Sequence, residues 1–561
     1  MNSLRRVARF AVPLCLLLVA VAAWGRIQEA NRPERAVMIF IDTLRADHLG
    51  SYGYARSTSP AIDQFAKGAV VFDAAHSVAP WTLPSAKAVL SGRHPDWWEA
   101  TATLQGRLRA RGFKTAFFSA NNWMSPDVGM RRDWDTYNLQ HGALAETQVE
   151  RAVQWLGAHS NDDVLLVLHL MDMHQPYKEP TAYRRLFAGD AVAPLGEEIR
   201  DRIALSELKS PAARQYVIDR YDNNLRYIDD SLKVLFSVLD RWDLVFLFSD
   251  HGEEFWDHDS FGHGHTLYEE LLRVPLIVRA PGLAPRRISA PVSLLDLTPT
   301  LLDLLSIPVK GLDGQSLVPL LRGDPTAGAR MAQRPLPIGW PLYGAVRWGV
   351  LNGERKYSTW AGREFLFDLK QDPGEHVNRA EGRRSSELTP HRAALAKALK
   401  REIALTLRVS SDAKDLKDGP GVLLRCRVPG GWRKAWVGHD PDVAAAAEVT
   451  IDGETVVMQW PEGYRHGRQL YALPRRALTE VGTLLQCDVH NGSEWARIPL
   501  SIADLSNSTA RPPLWSQTVQ EINQITLDVS SVPVPPDDLP QPKPLSDRTF
   551  EALRSIGYVG Q

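Results

Sequence analysis

Three stretches of this chain concentrate side chains suited to group transfer. The first pairs Asp42-Thr43-Leu44-Arg45, directly after an apolar run, with Pro80-Trp81-Thr82-Leu83-Pro84-Ser85, which opens a helical stretch closing near Ser91-Gly92. A carboxylate at a strand end and a hydroxyl at a helix N-terminus suit a metal-assisted nucleophile, because a cation and the helix dipole both favour the alkoxide. The plainer reading makes Asp42 a turn cap and Thr82 or Ser85 an ordinary helix N-cap. The second stretch runs Phe248-Ser249-Asp250-His251-Gly252-Glu253-Glu254, then His258, then Gly262–Tyr268 with His263 and His265. Adjacent Asp and His at a strand end, followed by a glycine that permits a sharp turn, can present oxygen and nitrogen to one divalent cation. The third, His169-Leu170-Met171-Asp172-Met173-His174-Gln175-Pro176-Tyr177, also follows an apolar run. Clustered histidines beside acids favour metal-rich catalysis over separate structural roles.

The elements that must position these residues are legible as patterns. From Ala36 to about Leu305, apolar runs at Val37–Ile41, Lys114–Phe118, Val164–Leu170, Leu244–Phe248 and Leu276–Arg279 alternate with stretches long enough for crossover helices. That alternation predicts an α/β sheet with helices on both faces, whose strand carboxyl ends line a ligand crevice. Asn352-Gly353, between Gly344–Leu351 and Glu354–Trp360, predicts a hairpin in a small antiparallel sheet. After the charged helical stretch Glu387–Leu407, the runs Val422–Val428, Glu448–Ile451, Thr455–Trp460, Thr483–Val489 and Trp495–Ser501 predict a separate β-rich module. The proline-rich Val532–Pro544 reads as linker and Ser546–Gly557 as a capped helix. The expected division is 1–35 as signal peptide or membrane anchor, 36–375 as catalytic domain and 376–411 as helical connection. It continues with 412–505 as β module, 506–545 as linker and 546–561 as C-terminal helix.

Composition narrows the function class. A chain of 561 residues with 65 basic and 66 acidic side chains is too long for one core and too balanced for a nucleic-acid binder held by gross charge. Only Cys15, Cys426 and Cys487 occur, with no CxxC pair, so a metal must rely on oxygen and nitrogen ligands. Cys426 and Cys487 fall on candidate strands, where a disulfide and two buried thiols are both open. Arg5, Arg6 and Arg9 precede the apolar Phe10–Trp24, which reads as an export signal. Ala20, Ala22 and Ala23 offer a cleavage site, and an uncleaved segment would tie the chain to a membrane.

The ordered motifs DTLRADHLGSYGY, PWTLPSAKAVLSG, HLMDMHQPY, FSDHGEEF, GHGHTLYEELLRVPLIV and GLDGQSLVPLL closely resemble the sulfatase family of the alkaline phosphatase superfamily, over about Val37 to Asp372. The resemblance implies an alkaline-phosphatase-like three-layer α/β/α sandwich, a divalent metal and cleavage of sulfate or phosphate esters. Residue by residue, Asp42, Asp250 and His251 match metal-ligand positions, and Thr82 matches the metal-contacting nucleophile. His174 matches a histidine that contacts ester oxygens. His263 takes the place of a substrate-contacting lysine, or would ligate a second metal with Asp172 or His265.

The chain also departs from the family pattern. Thr82-Leu83-Pro84-Ser85-Ala86 stands where formylglycine-dependent members carry a C/S-x-P-x-R pentapeptide, so no formylglycine is expected. Thr43 replaces an acidic residue, and Ser119-Ala120-Asn121-Asn122-Trp123 replaces a Gly-Lys-Trp segment. A threonine sulfate ester lacks the carbonyl-forming exit of a hydrated aldehyde, whereas phosphothreonine is resolved by in-line attack on phosphorus. The sequence therefore predicts an exported ester hydrolase or transferase with Thr82 as covalent nucleophile, and His174, Asn121 and His263 countering developing charge. The mixed donor set favours zinc or manganese, with calcium as the alternative. The substrate is read as a small or polymer-borne phosphate or sulfate ester, with no nucleic-acid partner. A catalytically degenerate binding protein is the competing reading.

Overall fold

The computed structural model describes residues 34–187, 208–342, 347–360, 363–381 and 385–399, together with strands lying between 402 and 534. Nine strands form the main sheet: β1 Arg35–Ile41, β2 Val70–His76, β3 Lys114–Ser119, β4 Thr136–Leu139, β5 Val164–Leu170, β6 Leu244–Phe248, β9 Arg273–Arg279, β10 Arg286–Ile288 and β11 Val292–Ser293. The short pair β7 Glu254–Phe255 and β8 Phe261–Gly262 stands apart from it. The spatial order is β10-β2-β9-β6-β1-β5-β3-β4, with β11 beside β2. The sheet is mixed, because β9 runs antiparallel to both β2 and β6.

The alternation of β1 explains the layers. Val37, Ile39 and Ile41 share a core with Tyr221, Leu225 and Leu232 of the helix Pro211–Val238 and with Val149 and Leu156 of the helix Ala145–Ala158. Ala36, Met38 and Phe40 pack on the other face with Val89 and Leu90 of the helix Thr82–Ser91 and with Leu301 and Leu302 of the helix Leu297–Leu304. Burial on both faces gives central strands their continuous apolar runs. Each fully buried aliphatic side chain contributes about 1.5–3 kcal/mol. Every residue from Ala36 to Ile41 is buried, so β1 fixes the position of Asp42 immediately after it.

The expected hairpin forms between Arg347–Asn352 and Arg355–Trp360, with Gly353 at φ 62°, and Leu336–Gly339 and Arg363–Asp368 complete a four-stranded antiparallel sheet. The stretch read as helical connection divides in two. The helix Ser385–Leu399 packs Leu388, Leu395 and Leu399 against Trp348, Val350 and Tyr357 of this sheet, and Glu402–Ser411 is a strand.

The C-terminal part is β-rich, in two five-stranded sheets. One contains Glu448–Asp452, Thr455–Gln459, Leu423–Arg427, Gln486–His490 and Trp495–Ile498. The other contains Trp432–Val437, Arg468–Pro474, Glu402–Ser411, Ile525–Val534 and Ser516–Ile522. Strands therefore extend beyond 412–505 on both sides and enter the stretch read as linker. Cys426 is disulfide-bonded, and strand register sets Cys487 directly opposite it. The export signal expected at the N-terminus and the helix expected at 546–561 lie outside the described residues. Among the described residues, no helix is long and apolar enough to cross a membrane.

Candidate active site

Strands β3, β5, β1 and β6 lie side by side and deliver the site at one edge of the sheet. Their register pairs Phe40 with both His169 and Phe248, and Ser119 with His169, so residues just past these positions emerge together. Asp42 continues the ladder by donating its amide to Leu170 O at 2.9 Å. The next residue, Thr43, is β-branched yet adopts φ 54°, a strained left-handed conformation. Tyr221 stabilises this turn from the helix Pro211–Val238: its hydroxyl donates to Thr43 O at 2.8 Å and accepts the Arg45 amide at 2.8 Å.

Asp42, Asp250 and His251 are fully buried and converge. His251 Nε2 lies 3.2 Å from Asp250 Oδ2 and 3.5 Å from Asp42 Oδ1, and neither of those oxygens accepts a hydrogen bond of acceptable geometry. Two buried carboxylate oxygens turned on one imidazole nitrogen are costly unless a cation or proton joins them. The residues therefore fit a divalent metal. Asp250 Oδ1 is held by the Thr43 amide at 3.3 Å, and His251 Nδ1 donates to Gly252 O at 2.9 Å, which aims Nε2 at the carboxylates. Burial would lower the His251 pKa, but Asp250 and then Asp42 outweigh it and raise it to about 9. Burial opposes ionisation of Asp42, yet the His169 hydrogen bond and the nearby histidines hold its carboxyl well below the usual range. Glycine is required at 252, where a Cβ would sit 1.9 Å from Glu270 O.

Thr82 is the first residue of its helix and is fully buried. Its Oγ1 donates to Asp42 Oδ2 at 3.4 Å and lies 3.4 Å from both His251 Nε2 and Asn121 Nδ2. The N-cap reading fails for Thr82 and Ser85 alike, since Trp81 holds the cap position and no side chain caps the helix. Ser85 turns away from the carboxylates, with its Oγ donating to Ala79 O at 3.1 Å and lying 2.8 Å from Ser77 Oγ.

The remaining candidates divide. Asn121 Nδ2 donates to Asp42 Oδ2 at 2.8 Å. The His174 ring packs edge-on to His263, which packs on His251. His174 Nδ1 donates to Gln175 O, and burial lowers its pKa. His263 Nδ1 lies 2.8 Å from Glu253 Oε1, and His265 Nε2 lies 2.8 Å from Glu254 Oε2. Asp172 Oδ1 accepts the Ala145 amide at the start of the helix Ala145–Ala158, and burial pushes its carboxyl up to about 7. Among the described residues, the one group of three metal-ligating side chains with donor atoms within 4.8 Å of one another is Asp42, Asp250 and His251. The second-metal set Asp172, His263 and His265 forms no such group. His169, Ser119 and Glu253 carry contacts at this site that the sequence reading did not assign.

Comparison with known proteins bears on this arrangement. Residues 35–307 match the family model described as Sulfatase. Choline-sulfatase of Rhizobium meliloti is 34% identical over 174 residues, 29% of this chain, and the chain spans only 33% of that relative. Delta 4,5-hexuronate-2-O-sulfatase of Bacteroides thetaiotaomicron is 22% identical over 471 residues, 72% of this chain and 97% of the relative. Phosphoethanolamine transferase EptA of Helicobacter pylori is 26% identical over 259 residues, covering 44% of this chain and 47% of that protein. The solved phosphonate monoester hydrolase of Agrobacterium radiobacter superposes with a TM-score of 0.53 at 18% identity, over 65% of this chain and 95% of that one. This last likeness is one of fold.

Proposed function

We propose that this chain, whose residues 35–307 match the Sulfatase family model and which is similar to sulfatases and to a phosphoethanolamine transferase, is an exported, metal-dependent sulfatase-family enzyme that uses Thr82 as its covalent nucleophile and favours phosphate esters. The observation that carries this reading is the buried Thr82 Oγ1, 3.4 Å from Asp42 Oδ2 and from His251 Nε2, in a site where Ser85 is turned away. Asp42, Asp250, His251 and Thr82 would hold the cation, and oxygen donors with one imidazole suit zinc or manganese. Bound there, a divalent cation supplies the positive charge that favours an alkoxide and offsets charge on the ester oxygens.

The chain's own residues account for the rest. Thr82 Oγ1 bonds to phosphorus while the bond to the leaving alcohol breaks, and water or an acceptor alcohol then attacks phosphorus and releases Thr82. Asn121 Nδ2 steadies Asp42 and Thr82 together. His263, oriented by Glu253, donates to developing negative charge. His174, with its Nδ1 hydrogen committed to Gln175 O and its pKa lowered by burial, would offer Nε2 as a proton acceptor to the incoming water or alcohol. Choline-sulfatase, the hexuronate sulfatase and the phosphoethanolamine transferase support a substrate that is a small or polymer-borne ester. Export is supported by Arg5, Arg6 and Arg9 before Phe10–Trp24, and by the disulfide at Cys426, a bond typical of oxidising compartments.

Aryl phosphate monoesters, phosphodiesters and aryl sulfates, assayed with and without chelator, test the reading. Phosphodiester turnover lost on chelation and in Thr82→Ala is the expected result. Sulfate turnover alone, retained in Thr82→Ala, would overturn it.

A further inference from the structure

The two oxygens of Asp42 are not equivalent. Oδ2 receives Asn121 Nδ2 at 2.8 Å, His169 Nε2 at 3.2 Å and Thr82 Oγ1 at 3.4 Å. Oδ1 receives no hydrogen bond and faces His251 Nε2. His169 is fully buried on β5, and its Nδ1 lies 2.8 Å from Ser119 Oγ on β3. Ser119 Oγ in turn accepts the Asn121 amide at 3.1 Å.

The donor inventory fixes the direction of this ring. Asp42 Oδ2 is a carboxylate oxygen that can only accept, so His169 Nε2 carries a ring hydrogen and donates it there. In the neutral imidazole Nδ1 then accepts, so Ser119 Oγ, which takes the Asn121 amide on one lone pair, donates its proton to His169 Nδ1. His251 has the opposite arrangement: its Nδ1–H goes to Gly252 O, and Nε2 faces the carboxylates. Two buried histidines beside one carboxylate thus take different roles, one a candidate ligand and the other a donor. The Phe40 ring packs on His169, with the two ring centroids 4.1 Å apart.

We propose that His169 is a positioning residue, locked in its Nε2–H form by Ser119, which occupies Asp42 Oδ2 so that Asp42 meets a divalent cation through Oδ1 alone. This rests on the reading of Asp42, Asp250 and His251 as the cation site. Partners of this kind, one bond removed from the metal, change its affinity by about 10–100-fold when lost.

The test uses metal-free full-length protein titrated with Zn²⁺ by calorimetry and with Co²⁺ by visible absorption, with folding followed by circular dichroism. Wild type is compared with His169→Gln, His169→Leu, Ser119→Ala and the His169→Leu/Ser119→Ala double variant. His169→Leu should weaken Zn²⁺ binding by about 10–100-fold and alter the Co²⁺ band. His169→Gln, whose amide keeps an N–H donor, should stay within a few-fold of wild type. Ser119→Ala should weaken binding alone and by clearly less in the His169→Leu background, because the part that runs through His169 is then already lost and only the part that runs through the Asn121 amide remains. A folded His169→Leu with wild-type affinity, or a His169→Gln as weak as His169→Leu, overturns the proposal. If His169→Leu does not fold, unchanged affinity in Ser119→Ala overturns it. A wild type that binds no divalent cation defeats the cation-site reading as well, whereas normal wild-type affinity with indifferent variants defeats this inference alone.

Discussion

Asp172 stands two residues before His174 and accepts the first amide of the helix Ala145–Ala158, yet its other oxygen is buried without a hydrogen-bond partner. Burial pushes its pKa from 3.8 to about 7. A carboxyl whose folded pKa is raised contributes stability that is fully present below its unfolded pKa and is lost as pH rises through the folded one. At about 1.4 kcal/mol per pKa unit, linkage across this window amounts to a loss of about 2–3 kcal/mol between pH 5 and pH 8. Asp172→Asn keeps an oxygen for the Ala145 amide and cannot ionise, so it should gain that amount over wild type as pH rises from 5 to 8. Urea unfolding of metal-free protein, followed by tryptophan fluorescence at several pH values, isolates the difference because other groups titrate equally in both proteins. A wild-type-minus-variant difference that stays flat across this range would refute the argument. Zn²⁺ stoichiometry of Asp172→Asn should equal that of wild type, since Asp172 does not reach the cation site.

Three further outcomes follow from the described contacts. Asp250→Asn should lower metal occupancy and turnover together, and unchanged stoichiometry by elemental analysis would remove Asp250 from the site. Lys356, buried between Glu269 at 3.0 Å and Glu375 at 2.7 Å, ties the four-stranded sheet to the catalytic body. Lys356→Met removes the cation the two carboxylates share, leaving Glu269 with His76 and Glu375 with the Glu269 amide, and should cost about 3 kcal/mol in thermal or urea unfolding, with a loss below about 1 kcal/mol counting against the argument. Peptide mapping without reduction should recover the Cys426 peptide joined to the Cys487 peptide, and recovery of both as free thiols would contradict the bond.

The sequence made the candidate cation site legible because its chemistry restricts residue type and because its members follow uninterrupted apolar strands. Asp42 and the Asp250-His251 pair needed no knowledge of strand order. His169 was hidden because a histidine inside Val164–Leu170 reads as an ordinary core residue, and its partner Ser119 reaches it only through the pairing of β3 with β5. His263 and His265 looked available for a second metal because sequence proximity does not say which way a ring points. Each instead meets its own glutamate, Glu253 or Glu254. In the fold, β2, β4, β10 and β11 escaped notice because they are short or interrupted by polar residues. The second C-terminal sheet was missed because Glu402–Ser411 continues a charged stretch and pairs with the distant Ile525–Val534.

The central claim is that Thr82 is the group that attacks the ester. A phosphodiester reaction quenched during turnover and mapped by tandem mass spectrometry tests it most directly, with Thr82→Ala and Ser85→Ala run beside wild type. The account predicts phosphate on Thr82 in wild type and in Ser85→Ala, with no adduct and nearly no turnover in Thr82→Ala. An adduct on Ser85, or normal turnover by Thr82→Ala, would contradict it.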